Sequence, residues 1–138
     1  MISIDDVDLK DAKIAYAAMD FFSYCNLKAP EFYREDRVFL NKVCNDFQSF
    51  YESDEDVLVL NMPPRHGKSR TAGCFVEWVL GNNQNEKIML GSYNEALSTT
   101  FSKNVRDTIT EQKGDEDKIV YSEIFPNVAI KYGDSAMN

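Results

Sequence analysis

The sequence predicts an α/β protein in which a parallel sheet is flanked by helices. Two short apolar runs, residues 57–60 and 88–90, are not interrupted by polar residues. Such runs are typical of strands that are buried on both faces of a parallel sheet. Each run is followed by a segment with helical periodicity, so the order is strand, helix, strand, helix. We therefore expect residues 57–61 and 87–92 to be central strands joined by right-handed crossovers.

An N-terminal helical segment precedes the predicted sheet. Apolar residues recur every three to four positions over residues 14–25 and again over residues 39–51. This spacing predicts two amphipathic helices, which Pro30 separates. The acidic run 53–56 predicts a solvated turn, because clustered short acids do not pack into a core. The change of period after this turn marks the start of the sheet.

Two further helices and a third strand complete the predicted elements. Residues 71–80 carry one apolar stripe and are followed by Gly81, a common signal at the end of a helix. Asn94 is expected to cap a helix that ends at Ile109. Residues 128–130 are a candidate third strand.

Length and composition favour one structural domain. The chain has 138 residues, of which 43% are hydrophobic, and this is enough for a single core. We divide it into a helical segment, residues 1–52, that packs on the incomplete core of residues 53–138. The composition excludes a collagen-like repeat, a disordered tail and a disulfide scaffold.

The charge of the chain is acidic and uneven. The formal net charge is −8, and the first 56 residues carry 13 acidic against 6 basic side chains. This balance argues against a module that holds DNA by neutralising many phosphates. The acidity belongs to the N-terminal third of the sequence.

Cysteine usage and the N-terminus predict an intracellular protein. Cys25, Cys44 and Cys74 are odd in number and far apart, so we expect reduced, mostly buried thiols rather than disulfides or a zinc site. The acidic N-terminus lacks the basic and apolar regions of a signal peptide. No apolar run is long enough to span a bilayer, so a cytoplasmic protein without a membrane partner is expected.

A candidate phosphate-binding loop lies between the first predicted strand and the next helix. Residues 63–69 read Pro-Pro-Arg-His-Gly-Lys-Ser. The N–H groups of such a loop and of the following helix N-terminus hold phosphate oxygens, so the anion should lie against the amides of residues 66–70. Gly67 permits close approach of the backbone. Lys68 is expected to contact the β- and γ-phosphates and Ser69 to ligate Mg²⁺.

The loop departs from the usual pattern at Met62, where the first glycine is expected. Pro63 and Pro64 stiffen this loop instead, because proline fixes φ and removes an amide donor. Arg65 either braces the γ-phosphate as an arginine finger or pairs with an acidic neighbour. His66, the only histidine, is expected to shape the loop by hydrogen bonding. The alternative for the whole segment is an ordinary strand-to-helix turn with a serine cap.

The loop and the segments after it resemble the ATPase domain of the large terminase subunit, the DNA-packaging motor of tailed bacteriophages and prophages. Residues 63–69 have the form that the Walker A loop commonly takes in that family, which accounts for Met62. Three later segments resemble segments of that family's ATPase domain and follow one another in the same order. They are residues 75–81, 88–109 and 124–126.

The resemblance implies an additional-strand P-loop ATPase with ATP and Mg²⁺ as cofactors. In the family, a homo-oligomeric ring on the phage portal couples ATP hydrolysis to packaging of double-stranded DNA, with a small terminase subunit as partner and a separate nuclease domain. The acidic Walker B strand is not found, because Lys131 and Gly133 interrupt the only late candidate before Asp134. We therefore expect an N-terminal fragment that binds nucleotide and hydrolyses it poorly.

The loop motif supplies the expected site residues. Lys68 and Arg65 are the expected catalytic residues, and Ser69 is the expected metal ligand. The expected ATP-binding residues are Pro64, Arg65, His66, Gly67, Lys68, Ser69 and Arg70. The family often contacts adenine from the region before the first strand. A glutamine is usual there, but Gln48 lies too late in its helix; Tyr33 and Arg34 are the alternatives, both against a core or surface role, which is favoured.

Two other functions stay open on the sequence. A stand-alone P-loop kinase or small NTPase would need a complete acidic site and a lid with further arginines, which residues 70–138 do not show. A non-catalytic, truncated prophage product would act as an interaction module through an exposed face. A Walker B strand and a nuclease region encoded downstream would favour the terminase interpretation over both.

Overall fold

The computed structural model describes residues 4–130, and the regular secondary structure in that range is entirely α-helical, with no strand. The helices follow one another along the chain without an intervening sheet. They are α1 (Ile4–Met19), α2 (Phe21–Lys28), α3 (Val38–Glu52), α4 (Lys68–Asn82), α5 (Glu95–Ile109) and α6 (Tyr121–Ile124). The predicted α/β fold, a P-loop NTPase-like parallel sheet flanked by helices, is therefore wrong.

The three predicted strands are irregular segments in the structure. Residues 57–61, 87–92 and 128–130 have no regular secondary structure. The side chains of Val59 and Met89 are 74% and 95% exposed, although both were expected to lie in a core. No backbone hydrogen bond joins either of the first two segments to another residue in the described range.

The failure of the strand prediction has a physical cause. A strand is stable only where neighbouring strands pair with its N–H and C=O groups and cover its faces. A short apolar run shows that a segment can be buried, but it does not show which segment would pair with it. Within residues 4–130 no such partner is present, so both runs stay exposed.

The helix expected over residues 14–25 is divided into α1 and α2 at Asp20. This residue has extended φ and ψ angles of −121° and 118°, and its carboxylate accepts a hydrogen bond from the Ser23 amide at 2.9 Å. Aspartate is a favoured helix N-cap because its oxygen satisfies an amide that has no partner in the first turn. The apolar periodicity continues through the cap residue Asp20, so the sequence pattern alone does not show that the helix is interrupted there.

The other helix predictions are confirmed with shifted ends. Helix α3 covers the expected residues 39–51, and α5 begins after Asn94, whose side-chain oxygen accepts from the Ala96 amide at 2.8 Å. Helix α4 begins three residues before the expected position and continues past Gly81. The earlier start of α4 places Lys68 and Ser69, the last two residues of the predicted phosphate loop, in its first turn.

The chain divides into two compact units, residues 1–71 and 72–138, so the division falls within α4. Each unit has its own buried apolar residues. In the first unit these are Ala17, Phe21, Phe22, Tyr24, Cys25, Ala29, Tyr33, Leu40, Val43 and Cys44. In the second unit they are Trp78, Val79, Ile109, Val120, Tyr121, Ile124 and Phe125. Cys25 and Cys44 are buried as expected, Cys74 is half-buried, and none of the three forms a disulfide.

Candidate functional site

The predicted phosphate loop leads directly into α4. Arg65 and Gly67 have positive φ angles of 64° and 88°, and His66 between them does not. The Thr71 amide donates to the Gly67 carbonyl oxygen at 2.8 Å, which closes the first turn of the helix. The amides of residues 68–70 donate to no other residue in the described range. These three N–H groups are the ones that an α-helix leaves unpaired at its N-terminus.

This backbone arrangement suits an anion. Left-handed residues that alternate with right-handed ones turn successive N–H groups toward one side and form a concave anion-binding surface. The dipole of α4 adds a partial positive charge at the same end of the helix. A non-glycine residue at positive φ, such as Arg65, is uncommon and costs about 1–2 kcal/mol. The loop therefore stores backbone strain at the place where the N–H groups are exposed.

The side chains around the loop are cationic. Arg65, Lys68 and Arg70 are exposed, and none of them forms an ion pair with a carboxylate of the described residues. The sequence has no acidic residue between Asp56 and Glu77. In a chain of net charge −8 this is a local reversal of sign, and it attracts an anionic ligand.

His66 is bonded to its own loop. Its Nδ1 lies 2.9 Å from the Pro64 carbonyl oxygen, so Nδ1 carries the proton and donates. The imidazole also meets the Phe39 ring edge to face, with centroids 6.3 Å apart. An open groove of about 430 Å³ lies beside these two rings and is lined by Arg37, Val38, Phe39, Pro63 and His66. Its rings and single guanidinium suit a planar, anionic ligand.

Two consecutive aromatic residues support the loop. Tyr33 is fully buried, and its hydroxyl lies 2.9 Å from Oγ1 of the buried Thr71, within hydrogen-bond distance. The Phe32 ring lies against Gly67, where an added Cβ would come within 2.7 Å of the ring. Sequence reasoning missed the role of Phe32, because it belongs to no periodic pattern and lies far from the loop in sequence.

The three candidates for an adenine contact are engaged elsewhere. Tyr33 bonds to Thr71, as described. Gln48 bridges the junction of α1 and α2, where Oε1 accepts from the Phe21 amide at 2.9 Å and Nε2 donates to the Met19 carbonyl oxygen at 3.0 Å. Arg34 forms an exposed ion pair with Asp36 at 2.9 Å, and its hydrogen bond lowers the pKa of the Asp36 carboxyl.

The residues around the loop fit a phosphate group better than a protein-held metal ion. In the part of the chain that the structure describes, no three His, Cys, Asp or Glu side chains cluster as metal ligands do. Protein sites for Mg²⁺ generally include one or two carboxylates in addition to substrate phosphates. Here only the exposed Ser69 hydroxyl, in the first turn of α4, lies where the sequence predicts a Mg²⁺ ligand.

No helix within residues 4–130 is both long enough and apolar enough to cross a lipid bilayer. Comparison of the chain with protein families, curated proteins and solved structures finds no match.

Proposed function

We propose that residues 64–70 bind the phosphate groups of ATP. We further propose that the chain supplies this binding to a DNA-packaging ATPase of the terminase large-subunit type. The second part rests on the order of the resembling segments, residues 63–69, 75–81, 88–109 and 124–126. The first part does not depend on a parallel sheet.

One observation carries the phosphate proposal. Three features are found within six consecutive positions: three amides, of residues 68–70, and three exposed cations that have no hydrogen-bond or ion-pair partner among the described residues, and two residues with positive φ. Amides that converge at a helix N-terminus are a common phosphate site in proteins. The nearby cations add long-range attraction and charge-assisted hydrogen bonds.

The proposal gives each loop residue a task. Lys68 places an ammonium on the terminal phosphates, and Arg65 places a guanidinium on the outer one. Gly67 keeps the backbone close to the ligand, because its positive φ and the nearby Phe32 ring leave no room for a side chain. His66 holds the loop through Pro64. The Ser69 hydroxyl is the loop's contact to a phosphate-bound Mg²⁺.

The same residues supply little to hydrolysis. Phosphoryl transfer to water needs a residue that orients the water and a well-anchored metal. No acidic residue of the sequence lies between Asp56 and Glu77, so the loop itself offers no such group. We expect ATP to bind and to be hydrolysed close to the background rate.

The proposed setting follows the terminase resemblance. The ATP-bound chain would belong to a homo-oligomeric ring on a phage portal, in the cytoplasm of a bacterial host. There the motor would act on double-stranded DNA together with a small terminase subunit. These partners are part of the proposal and come from the resemblance.

Calorimetric titration of the 138-residue chain tests the phosphate proposal. ATP and inorganic triphosphate should both bind, with and without Mg²⁺, and Lys68→Ala should weaken each by about 10- to 100-fold, the range for a hydrogen bond to a charged group. Lys103→Ala is the matched control, because Lys103 is also an exposed lysine and pairs with Asp107 on α5. Absence of binding, or equal losses in both variants, would overturn the proposal.

Phosphate release tests the expected lack of turnover. Wild type and Lys68→Ala, at matched concentration and with Mg²⁺, should both release phosphate near the background rate. Turnover near one per second that disappears in Lys68→Ala would show a complete catalytic site within this chain.

A further inference from the structure

We infer that Phe32 is a positioning residue for phosphate binding, and that it acts by holding the Arg70 guanidinium beside the loop. The inference rests on the function proposed above and adds to it a residue outside the loop. Four observations support it: the position of the Arg70 guanidinium over the Phe32 ring, a contact of that ring with Gly67, the anchoring of the ring and the absence of an ion-pair partner for Arg70 among the described residues.

The Phe32 ring carries two guanidinium groups. The Cζ atom of Arg70 lies 4.6 Å from the ring centroid and that of Arg37 lies 4.7 Å from it. Both distances are within the range of cation–π attraction. Arg37 is fixed further, because its Nη1 donates to the Phe32 carbonyl oxygen at 3.1 Å.

The same ring touches the loop. A Cβ placed on Gly67 would lie 2.7 Å from Cζ and 2.8 Å from Cε1 of Phe32, closer than side-chain carbons approach one another. The ring edge therefore fills the space next to Gly67. One side chain thus contacts the backbone of the phosphate loop and a cation in the first turn of α4.

The ring is itself anchored. The amides of Phe32 and Tyr33 both donate to the Ala29 carbonyl oxygen, at 3.1 and 2.9 Å. The rings of Phe32 and Tyr33 meet edge to face with centroids 4.9 Å apart, and Tyr33 is bonded to Thr71 in α4. Phe32 is therefore held in place relative to the helix that contains Arg70.

This geometry prepares Arg70 to bind an anion. A free arginine side chain has about 2 kcal/mol of rotamer entropy, which binding must otherwise remove. Stacking on Phe32 restricts the side chain before the ligand arrives, and no carboxylate of the described residues competes for the guanidinium. A planar guanidinium held in this way can give two parallel hydrogen bonds to a phosphate.

A double-mutant cycle on the affinity for inorganic triphosphate tests the inference. Phe32→Leu should weaken binding by about 2- to 10-fold, the range of one cation–π contact, and Arg70→Ala by about 10-fold or more. Because Phe32 acts through Arg70, the double variant should bind no more weakly than Arg70→Ala alone. Phe50→Leu is the matched control, since Phe50 is also half-buried in the first unit and should leave the affinity unchanged.

A second measurement does not depend on binding. The side-chain δ protons of Arg70 should show an upfield ring-current shift by NMR, which Phe32→Leu removes and Phe50→Leu retains. If Phe32→Leu fails to fold, the affinity of Arg70→Lys for triphosphate tests the inference instead. This variant keeps the positive charge and loses the planar guanidinium over the Phe32 ring. Its affinity should then fall close to that of Arg70→Ala, and wild-type affinity would overturn the inference.

The outcomes separate the two proposals. If triphosphate binds but the losses in the cycle are additive, the role of Phe32 is overturned and the phosphate site is retained. The absence of a ring-current shift on Arg70 has the same consequence. No triphosphate binding by wild type overturns the proposed function and, with it, the role of Phe32 in that function. Binding with a non-additive cycle supports both.

Discussion

The N-terminal end of α4 is supported by two aromatic side chains. The Phe32 ring lies against Gly67, and the Tyr33 hydroxyl shares a hydrogen bond with the Thr71 hydroxyl at 2.9 Å. These two contacts hold Gly67, which directly precedes α4, and Thr71 in the first turn of the helix.

The C-terminal end of α4 has the same two kinds of contact. The Phe125 ring lies against Gly81, where an added Cβ would come within 2.5 Å of the ring. The Tyr121 hydroxyl donates to the Glu77 carbonyl oxygen at 2.8 Å. Each end of α4 therefore has an aromatic ring packed closely on a glycine and one hydrogen bond that involves a tyrosine hydroxyl.

The two ends differ in what surrounds the ring. Phe125 is only 5% exposed and packs on Tyr121 with centroids 5.2 Å apart, whereas Phe32 is half-buried and carries two guanidinium groups. Gly67 has a positive φ, and Gly81 continues a helix. One packing arrangement therefore occurs in a buried core at one end of α4 and beside an exposed loop at the other. Exposed cations and unpaired amides distinguish the second case.

The largest expected effect separates the two glycines. Gly67→Ala should lower the free energy of unfolding by about 2–4 kcal/mol, because a left-handed alanine adds strain to the overlap with Phe32. Gly81→Ala should lower the free energy of unfolding by about 1–3 kcal/mol, because the added Cβ overlaps the Phe125 ring while alanine partly offsets this loss by its higher helix propensity. Only Gly67→Ala should also weaken triphosphate binding.

Denaturant unfolding and calorimetry of both glycine variants check this prediction. Gly91→Ala is the control, because nothing lies within 4 Å of its added Cβ, and it should change neither quantity. If Gly81→Ala weakens triphosphate binding as much as Gly67→Ala does, the distinction between a ligand-facing end and a core end of α4 is wrong.

The next effect separates the two tyrosines. Tyr33→Phe should cost about 1–3 kcal/mol of unfolding free energy, because it leaves the buried Thr71 hydroxyl without its partner. Tyr121→Phe should cost about 0.5–1.5 kcal/mol, because the Glu77 carbonyl can keep its bond within the helix. Urea unfolding of the two variants measures the difference, with the exposed Tyr93→Phe as control. A larger loss in Tyr121→Phe would contradict the expected order.

The pH dependence of stability tests the burial of Tyr121 at the C-terminal end of α4. Burial, with a contribution from the charge of Glu77, raises the pKa of the Tyr121 hydroxyl well above its ordinary value near 10. The unfolded chain therefore loses this proton at lower pH than the folded chain, so stability present below pH 10 is lost as the pH rises above it. Tyr121→Phe should make unfolding less steeply dependent on pH above about 10. Parallel curves for wild type and variant would contradict the assignment.

The smallest effect is a gain in stability at the loop. Arg65→Gly should raise the free energy of unfolding by about 0.5–1 kcal/mol, since glycine adopts a positive φ without strain but loses more chain entropy on folding. Arg65→Ala keeps the strain and serves as the control, with no gain expected. Equal stability of the two variants in thermal unfolding would show that the loop stores no strain at this position.

The local features of this protein could be predicted from its sequence. The periodicity of residues 39–51 and the cap at Asn94 predicted α3 and α5, because a helix satisfies its backbone hydrogen bonds within its own segment. The segment at 63–69 likewise predicted a loop that leads into a helix. Its glycine lies at the position with φ of 88°.

The features that depend on distant residues could not be predicted. Strands at 57–61 and 87–92 would need paired neighbours, and the apolar runs carry no information about whether such neighbours exist. The role of Phe32 also escaped prediction, because its contact with Gly67 joins residues that are 35 positions apart in the sequence.

The sequence by itself determined where α3 and α5 form and where cations and a glycine lie before α4. Tertiary structure decided that the apolar runs stay exposed within the described range, that Tyr33 braces α4 and that Phe32 holds the loop and Arg70. The physical reason is the range of the interactions. Helical hydrogen bonds and caps act within about four residues, whereas strand pairing, ring packing and cation–π contacts join residues that only the folded chain brings together.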